Sequence, residues 1–438
     1  MRAALTLISG TALAHGLTAA ALPILSRMYS PAEFGLLAVF SSLLAIISVV
    51  ACLRYELAIA LPPSDDEALH LLALSMASCL LMSLLMALIV LLAPQWLIAL
   101  TGQPQLRPYL WLAPLGLLLA GSYSALQFWH VRGKKFTLLA RTRVAQSAGS
   151  ATAQITLGAM GISPLGLLLG YVMNTGIACL ALGGALCKAV PNLSLGRVWR
   201  LALSYRRFPL FSSLEALANS AAMQIPVIMI AAIAAPAEAG YLMMAMYVAQ
   251  APMSLIGTAI SQVYLSRAPE AYREGRLGAF STDILAGLLK SGCGPLLAAG
   301  ILSPALFGLV FGAGWERAGW LVSWMTPWFL LQFLAVPLSM ALHVTGSQRA
   351  AMWLQGGGLL LRVGLVWAAA QWQTAWVAEA YAISGALFYL IYLALIVRVT
   401  QLPLRPLAIA LRGALIPISV WPIGALGLVL LLRLGAVG

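Results

Sequence analysis

Three cations stand inside runs of the chain that are otherwise apolar: Arg54, Lys290 and Arg362. A charged side chain at the middle of a membrane costs about 2.5–3.5 kcal/mol on insertion scales, so each needs a reason to be there. A guanidinium can hold two phosphate oxygens at once, and an ammonium acts as a point charge, so the chemistry they suggest is capture of an anion. The alternative is structural, either snorkelling to an interface or an internal ion pair. Arg54 is followed by Glu56, and Lys290 comes after Asp283. Arg362 lies mid-way along the apolar stretch 351–371, two turns from Gln355, with Gly358 between them leaving room for a headgroup. The carboxylates Glu56, Glu215 and Glu379 also fall in apolar runs. Glu56 and Glu215, with His15, are the candidates for binding a coupling ion.

Polar stripes at helical spacing accompany these charges. Thr11, His15 and Thr18 share one face, as do Tyr123, Gln127 and His130, then Gln146, Ser150 and Gln154. Glu215 and Asn219 share another, with Ser220 and Gln224 beside them. Such stripes either line a wet interior or bond helices to one another, the latter at under about 1 kcal/mol each. Trp320, Trp324 and Trp328 recur every fourth residue. An interfacial belt accounts for the first. Trp328 lies about 12 Å deeper at 1.5 Å per residue. It either packs between helices or offers a face to a sugar ring. Gln127, Gln154, Asn219, Gln224 and Trp324 join the three cations as candidate substrate contacts.

Other motifs carry less. Ser64-Asp65-Asp66-Glu67 reads as a solvated helix cap, with carboxylates at a helix N-terminus. No P-loop occurs, so ATP drive is not indicated, and no cofactor or catalytic residue is expected. Cys52, Cys79, Cys179, Cys187 and Cys293 sit in apolar runs without zinc-site or disulfide spacing, and read as small buried apolar residues.

The elements that must position these residues follow from composition. The 438 residues are 62% hydrophobic and 8% charged, against about 25% charged in ordinary domains. A bilayer accepts such a surface if every backbone polar group is paired within a helix. The net charge of +13 is spread between apolar runs rather than gathered in a patch, so nucleic acid is not an expected partner. At about 20 residues per crossing, the chain divides into thirteen segments. They lie near 5–26, 34–60, 69–93, 109–130, 144–162, 165–187, 211–234, 241–264, 281–311, 320–343, 351–371, 377–397 and 411–432. The first is too long for a cleaved signal sequence. The last contains Pro417 and Pro422, which predict a kinked or incomplete span.

Loop charge predicts orientation. Of 25 Lys and Arg, three lie within segments and four (Arg27, Arg107, Arg317, Arg433) fall on one side; the other 18 fall opposite. That places the N-terminus in the cytoplasm. The region 188–210 sets Arg197, Arg200, Ser204 and Arg207 on one helical face, which predicts an amphipathic surface helix drawn to anionic headgroups.

A turn is repeated. Ser30-Pro31-Ala32-Glu33-Phe34-Gly35 recurs six segments later as Ala235-Pro236-Ala237-Glu238-Ala239-Gly240, each copy preceded by a helix proline, Pro23 or Pro226. An even separation predicts parallel repeats about an axis along the membrane normal. The expected fold is all-α and polytopic, with 12–13 transmembrane helices in two six-helix lobes around a central cavity. The boundaries are 1–190 for the first lobe, 191–210 for the amphipathic linker, 211–400 for the second lobe and 401–438 for an extra segment.

Three stretches resemble the polysaccharide-synthesis branch of the multidrug/oligosaccharidyl-lipid/polysaccharide (MOP) exporter superfamily, the Wzx-type oligosaccharide flippases. They are Leu22 to Pro62, Tyr205 to Glu270 and Phe311 to Gln348, reading in part LPILSRMYSPAEFGLLAVF, YRRFPLFSS and FGAGWERAGWLVSWMTPWF. Many relatives have twelve helices; thirteen are read here. The resemblance implies a multi-pass protein of the bacterial inner membrane and no enzymatic step. It implies an undecaprenyl-diphosphate-linked oligosaccharide moved from the cytoplasmic to the periplasmic leaflet, for lipopolysaccharide, capsule or exopolysaccharide synthesis. Membrane lipids, a polysaccharide polymerase and other assembly proteins are the implied partners. Two other readings compete. A cation-coupled multidrug exporter of the same superfamily would favour acidic residues in its cavity. A membrane polymerase or ligase would need a large outer loop, and none is present.

Overall fold

The computed structural model describes residues 2–184 and 194–435, and among these it contains helices and turns without strands. Cys187 and Lys188 lie outside the described residues, as does the junction of the first lobe with the linker. Over their described residues the apolar segments fall largely on helices. By contacts the chain forms two compact units, Met1–Gly240 and Tyr241–Gly438.

The first unit begins with α1 (Arg2–Met28), α2 (Pro31–Ser48), the single-turn α3 (Tyr55–Ala58) and α4 (Asp65–Leu92). It continues with α5 (Pro94–Thr101), α6 (Leu112–Arg132), α7 (Phe136–Ala159) and α8 (Leu165–Gly184), then α9 (Leu195–Ser204) and α10 (Ser213–Ile233). Helix α11 (Pro236–Arg273) starts within it. Ser30 caps α2 in a full capping box, taking the Glu33 N–H while Glu33 Oε2 accepts from the Ser30 N–H at 2.7 Å. Ser64 caps α4 in the expected way, accepting from the Glu67 N–H at 3.3 Å. Neither helix start leaves its backbone donors to the apolar surroundings.

The apolar segment 34–60 is not one helix. Helix α2 ends at Ser48, and a turn follows in which Leu53 and Arg54 have φ of 50° and 62°. Left-handed backbone at such side chains costs about 1–3 kcal/mol each, and packing holds it. A β-carbon at Gly121 of α6 would lie 2.8 Å from the Ala51 side chain and 2.4 Å from Cys79 Sγ. The bare glycine admits the turn, and Cys52 Sγ donates to the Gly121 carbonyl at 3.2 Å. Arg54 and Glu56 therefore sit beyond the end of a membrane helix rather than inside one.

The two Pro-Ala-Glu turns meet. A β-carbon on Gly35 would fall 2.2 Å from the Pro236 carbonyl oxygen, and one on Gly240 would fall 1.9 Å from that of Pro31. The contact is reciprocal, as between two copies of one surface.

The second unit holds the rest of α11, then α12 (Leu277–Leu288), α13 (Gly294–Phe311) and α14 (Glu316–Ala335). The single-turn α15 (Ala341–Val344), α16 (Gln348–Trp372), α17 (Val377–Thr400) and α18 (Leu404–Gly435) complete it. A π-helical turn, Leu289–Cys293, joins α12 to α13. Helix α18 is continuous through Pro417 and Pro422. Its 32 residues span about 48 Å at 1.5 Å each, ample for the ~30 Å hydrocarbon core. The expectation of an incomplete last span is thereby corrected. Prolines are tolerated in membrane helices when neighbours or local adjustments take up the freed carbonyls. Among the described residues, eight helical stretches are long and apolar enough to cross a membrane.

Candidate functional site

The most deeply buried charge is Arg362, 1% exposed, on α16. Two glycines build its surroundings. Gly385 of α17 has no room for a β-carbon, which would lie 2.2 Å from the Trp328 indole of α14. Gly358 of α16 is likewise filled, with the Phe388 ring 2.5 Å from the corresponding point. Arg362 is one turn along from Gly358, so its guanidinium lies over the ring that occupies the gap. Its Cζ is 4.4 Å from the Phe388 centroid and 6.0 Å from that of Trp328. Tyr381 meets Trp328 edge-on at 5.2 Å, and Tyr389 and Tyr392 flank Phe388. A desolvated cation over aromatic faces gains about 2 kcal/mol or more. The space expected beside Gly358 for a headgroup is thus taken by Phe388, because a flat ring fills the notch a glycine leaves.

Near the start of α17, Glu379 is 4% exposed and accepts a hydrogen bond from Arg317 of α14. Its Oε2 has no partner among the described residues. Trp328 is 4% exposed and packs between helices. Trp324 is 41% exposed and meets Trp376 edge-on at 6.0 Å. Lys290 is exposed on the π turn. Its Cε stands 3.9 Å from where a β-carbon on Gly413 would lie, so it faces α18.

In the first unit, Arg54 Nη1 is 3.7 Å from Glu56 Oε1, and the Glu56 side chain is almost wholly buried. Glu56 Oε2 and Arg54 Nε find no partner among the described residues. Burial pushes the Glu56 carboxyl above the usual carboxylate range; its own backbone N–H and Arg54 pull it back only in part. Glu56 lies outside the membrane-spanning helices.

Most polar stripes serve packing. Gln154 Nε2 donates to the Leu167 carbonyl, and Ser150 Oγ donates to that of Gly170, tying α7 to α8. Gln146 Nε2 reaches Asn174 at 3.3 Å. His130 Nε2 lies 3.0 Å from the Leu182 carbonyl. Ser42 Oγ donates to Gln224 at 2.9 Å, joining α2 to α10. Gln127 is half-buried, whereas His15, Glu215 and Asn219 are exposed.

Sequence reasoning passed over a cluster of clamps at one end of the first unit. Arg132, at the end of α6, bonds Asp65 and the carbonyls of Pro62 and Pro63. Arg197 of α9 pairs with Asp66 at 2.7 Å, and the Ser194 N–H donates to His70 Nε2 at 3.3 Å. Tyr55 Oη donates to the Ala202 carbonyl. The Arg132 bonds tie α6 to the start of α4, and the others dock the amphipathic α9 on α3 and α4. The aromatic cage of α17 was also missed; its one sequence signal is the spacing of Tyr381, Phe388 and Tyr392 at seven and four residues. Among the described residues no His, Cys, Asp and Glu cluster could hold a metal ion.

This geometry can hold a cation away from water in a fold of packed helices. Comparison with known proteins agrees in kind. The solved structure of the lipid II flippase MurJ, in an inward closed conformation, is similar with a TM-score of 0.76 and 13% identity, over 98% of this chain and 97% of that one. A multidrug resistance MATE family transporter of the MOP superfamily, facing inward, is similar with a TM-score of 0.65 and 14% identity, over 90% and 95%. A MATE protein solved in complex with MaL6 gives 0.55 and 13%, over 90% and 95%. At these identities the likeness is one of fold. No curated protein sequence matches the chain. The family described as "Polysaccharide biosynthesis protein" matches residues 24–282, more than half of the chain, and the chain belongs to that family.

Proposed function

We propose that this transporter of the polysaccharide-synthesis family flips an undecaprenyl-diphosphate-linked oligosaccharide from the cytoplasmic to the periplasmic leaflet of the bacterial inner membrane. The glycan would serve lipopolysaccharide, capsule or exopolysaccharide. The observation that carries the reading is Arg362, a buried guanidinium kept among aromatic rings on α16. A permanently charged guanidinium, which can hold two phosphate oxygens at once, favours a cargo that brings an anion with it. A diphosphate is such an anion, and the rings suit sugar faces. The family match and the MurJ-like fold support the same class of cargo. A drug exporter for cationic cargo would gain nothing from this cation.

Arg54, Lys290, Gln127, Gln154, Asn219, Gln224 and Trp324 are proposed to contact substrate in other states of the cycle. Glu56, Glu215 and His15 are proposed for ion coupling, with Glu56 foremost because its carboxyl is buried and half-satisfied. The two lobes, 1–190 and 211–400, are proposed as parallel repeats; the reciprocal packing of the two Pro-Ala-Glu turns supports this. The N-terminus is proposed to be cytoplasmic.

The test is deletion of the gene in its native host. Lipid-linked repeat units are expected to accumulate on the cytoplasmic leaflet, and surface glycan is expected to disappear. Unchanged glycan export, with new sensitivity to cationic drugs, would overturn the proposal.

A further inference from the structure

One groove in the second unit has no part in the reading above. It lies between α13, α14 and the end of α18, with a volume of about 780 Å³. That is within the range of small-molecule sites, roughly 300–1,000 Å³. Its α13 wall is apolar, and Gly308 on that wall leaves room for a side chain to cross the groove. The chain that does so is Glu316, whose Cγ and Oε1 lie 3.1 and 3.2 Å from where a Gly308 β-carbon would sit.

Among the described residues, Glu316 is the only charged one lining the groove. It is exposed, and no ion pair or hydrogen bond of its carboxylate is formed among the described residues. Its neighbour Arg317 is engaged by Glu379. One turn along, on the same face, Trp320 also lines the groove and is 53% exposed. The hydroxyls on the floor are already spent. Ser323 Oγ donates to the Gly300 carbonyl at 2.6 Å, and Thr326 Oγ1 donates to that of Val322 at 2.8 Å.

We infer that this groove is a lipid site selective for a phospholipid with a primary ammonium headgroup. A carboxylate and an indole face one turn apart match an ammonium, which gains a charged hydrogen bond from one and a cation–π contact from the other. The apolar wall takes an acyl chain. The end of the groove carrying Glu316 and Trp320 is where headgroups belong, since Trp gathers at membrane interfaces. An anionic lipid is disfavoured by Glu316. A choline lipid keeps the cation–π contact but has no N–H to donate.

The experiment is native mass spectrometry of the detergent-purified full chain, titrated with phosphatidylethanolamine, phosphatidylcholine and phosphatidylglycerol of matched acyl chains. Phosphatidylethanolamine is expected to be retained about tenfold over either competitor, the ratio that 1.4 kcal/mol represents. Glu316→Gln should bring the ratio close to one with an unchanged melting temperature. Ala305→Phe, which fills the groove from α13, should lower retention of all three lipids. Equal retention by the wild type, a preference for phosphatidylglycerol, or selectivity that survives Glu316→Gln would each overturn the inference.

Discussion

The two units handle charge in opposite ways. In the first, the ion pairs gather at helix ends, where Arg132 meets Asp65, Arg197 meets Asp66 and Arg54 meets Glu56. Many of its polar side chains are uncharged and bond to a neighbouring helix, to its backbone carbonyls or to its side chains. In the second, a guanidinium and a carboxylate are carried inward, onto helices whose partners are Trp328, Phe388 and the tyrosines of α17. Backbone carbonyls can satisfy a hydroxyl or an amide but offer little to compensate a full charge, whereas ring faces attract a cation. The difference teaches that the first unit bonds most of its polar groups for packing, whereas the second sets a guanidinium against ring faces.

The comparison breaks first at Arg362. If it meets substrate, Arg362→Ala should nearly abolish glycan export at matched protein levels in the membrane, and Arg362→Lys should weaken it, because an ammonium lacks the bidentate fork. Full export by a well-expressed Arg362→Ala variant would reduce the residue to packing. The next effect is one of stability in the same unit. Arg317→Ala leaves Glu379 buried without its cation. Breaking such a pair costs about 3–5 kcal/mol when fully buried; with Arg317 30% exposed, roughly 2 kcal/mol is expected. A thermal melt in detergent measures it, and Arg317→Ala with Glu379→Gln should recover most of the loss.

In the first unit, Gly240→Ala places a methyl against the Pro31 carbonyl. Overpacking of this kind costs about 1–3 kcal/mol. Gly35→Ala should act in the same direction, as a reciprocal contact requires. A wild-type melt for both variants would remove the support that the paired turns give to the repeat. The smallest effect concerns Glu56. Its carboxyl titrates higher in the fold than its ordinary value of 4.5 because it is buried. The folded state then binds more protons than the unfolded one, so the stability associated with protonated Glu56 is complete below pH 4.5 and is lost as pH rises through the raised value. Glu56→Gln should flatten this part of the pH–stability curve, and if the group couples a proton it should also flatten the pH profile of export.

Much of this was legible along the chain. The apolar segments, the Ser64 cap, the amphipathic α9 and the repeated turn are local patterns, and local patterns depend on helix period and end chemistry alone. The break after Ser48 was not legible. Val49 to Ala60 is as apolar as a membrane helix, and the turn is held by Gly121, seventy residues away in sequence. The fate of the polar stripes was hidden for the same reason. Gln154 could have faced water or the Leu167 carbonyl, and its own helix does not decide between them.

What the sequence determined by itself is the class of solvent, the helical character of the apolar segments, and which few charges must be explained, because hydrophobic length and charge cost are properties of each segment alone. What only the tertiary structure decided is the company those charges keep. Gly358 read as an open space in the chain, and in the fold it is where Phe388 lies beneath Arg362. A glycine leaves a gap that its own helix cannot fill, and the neighbour that fills it is set by packing between helices distant in sequence.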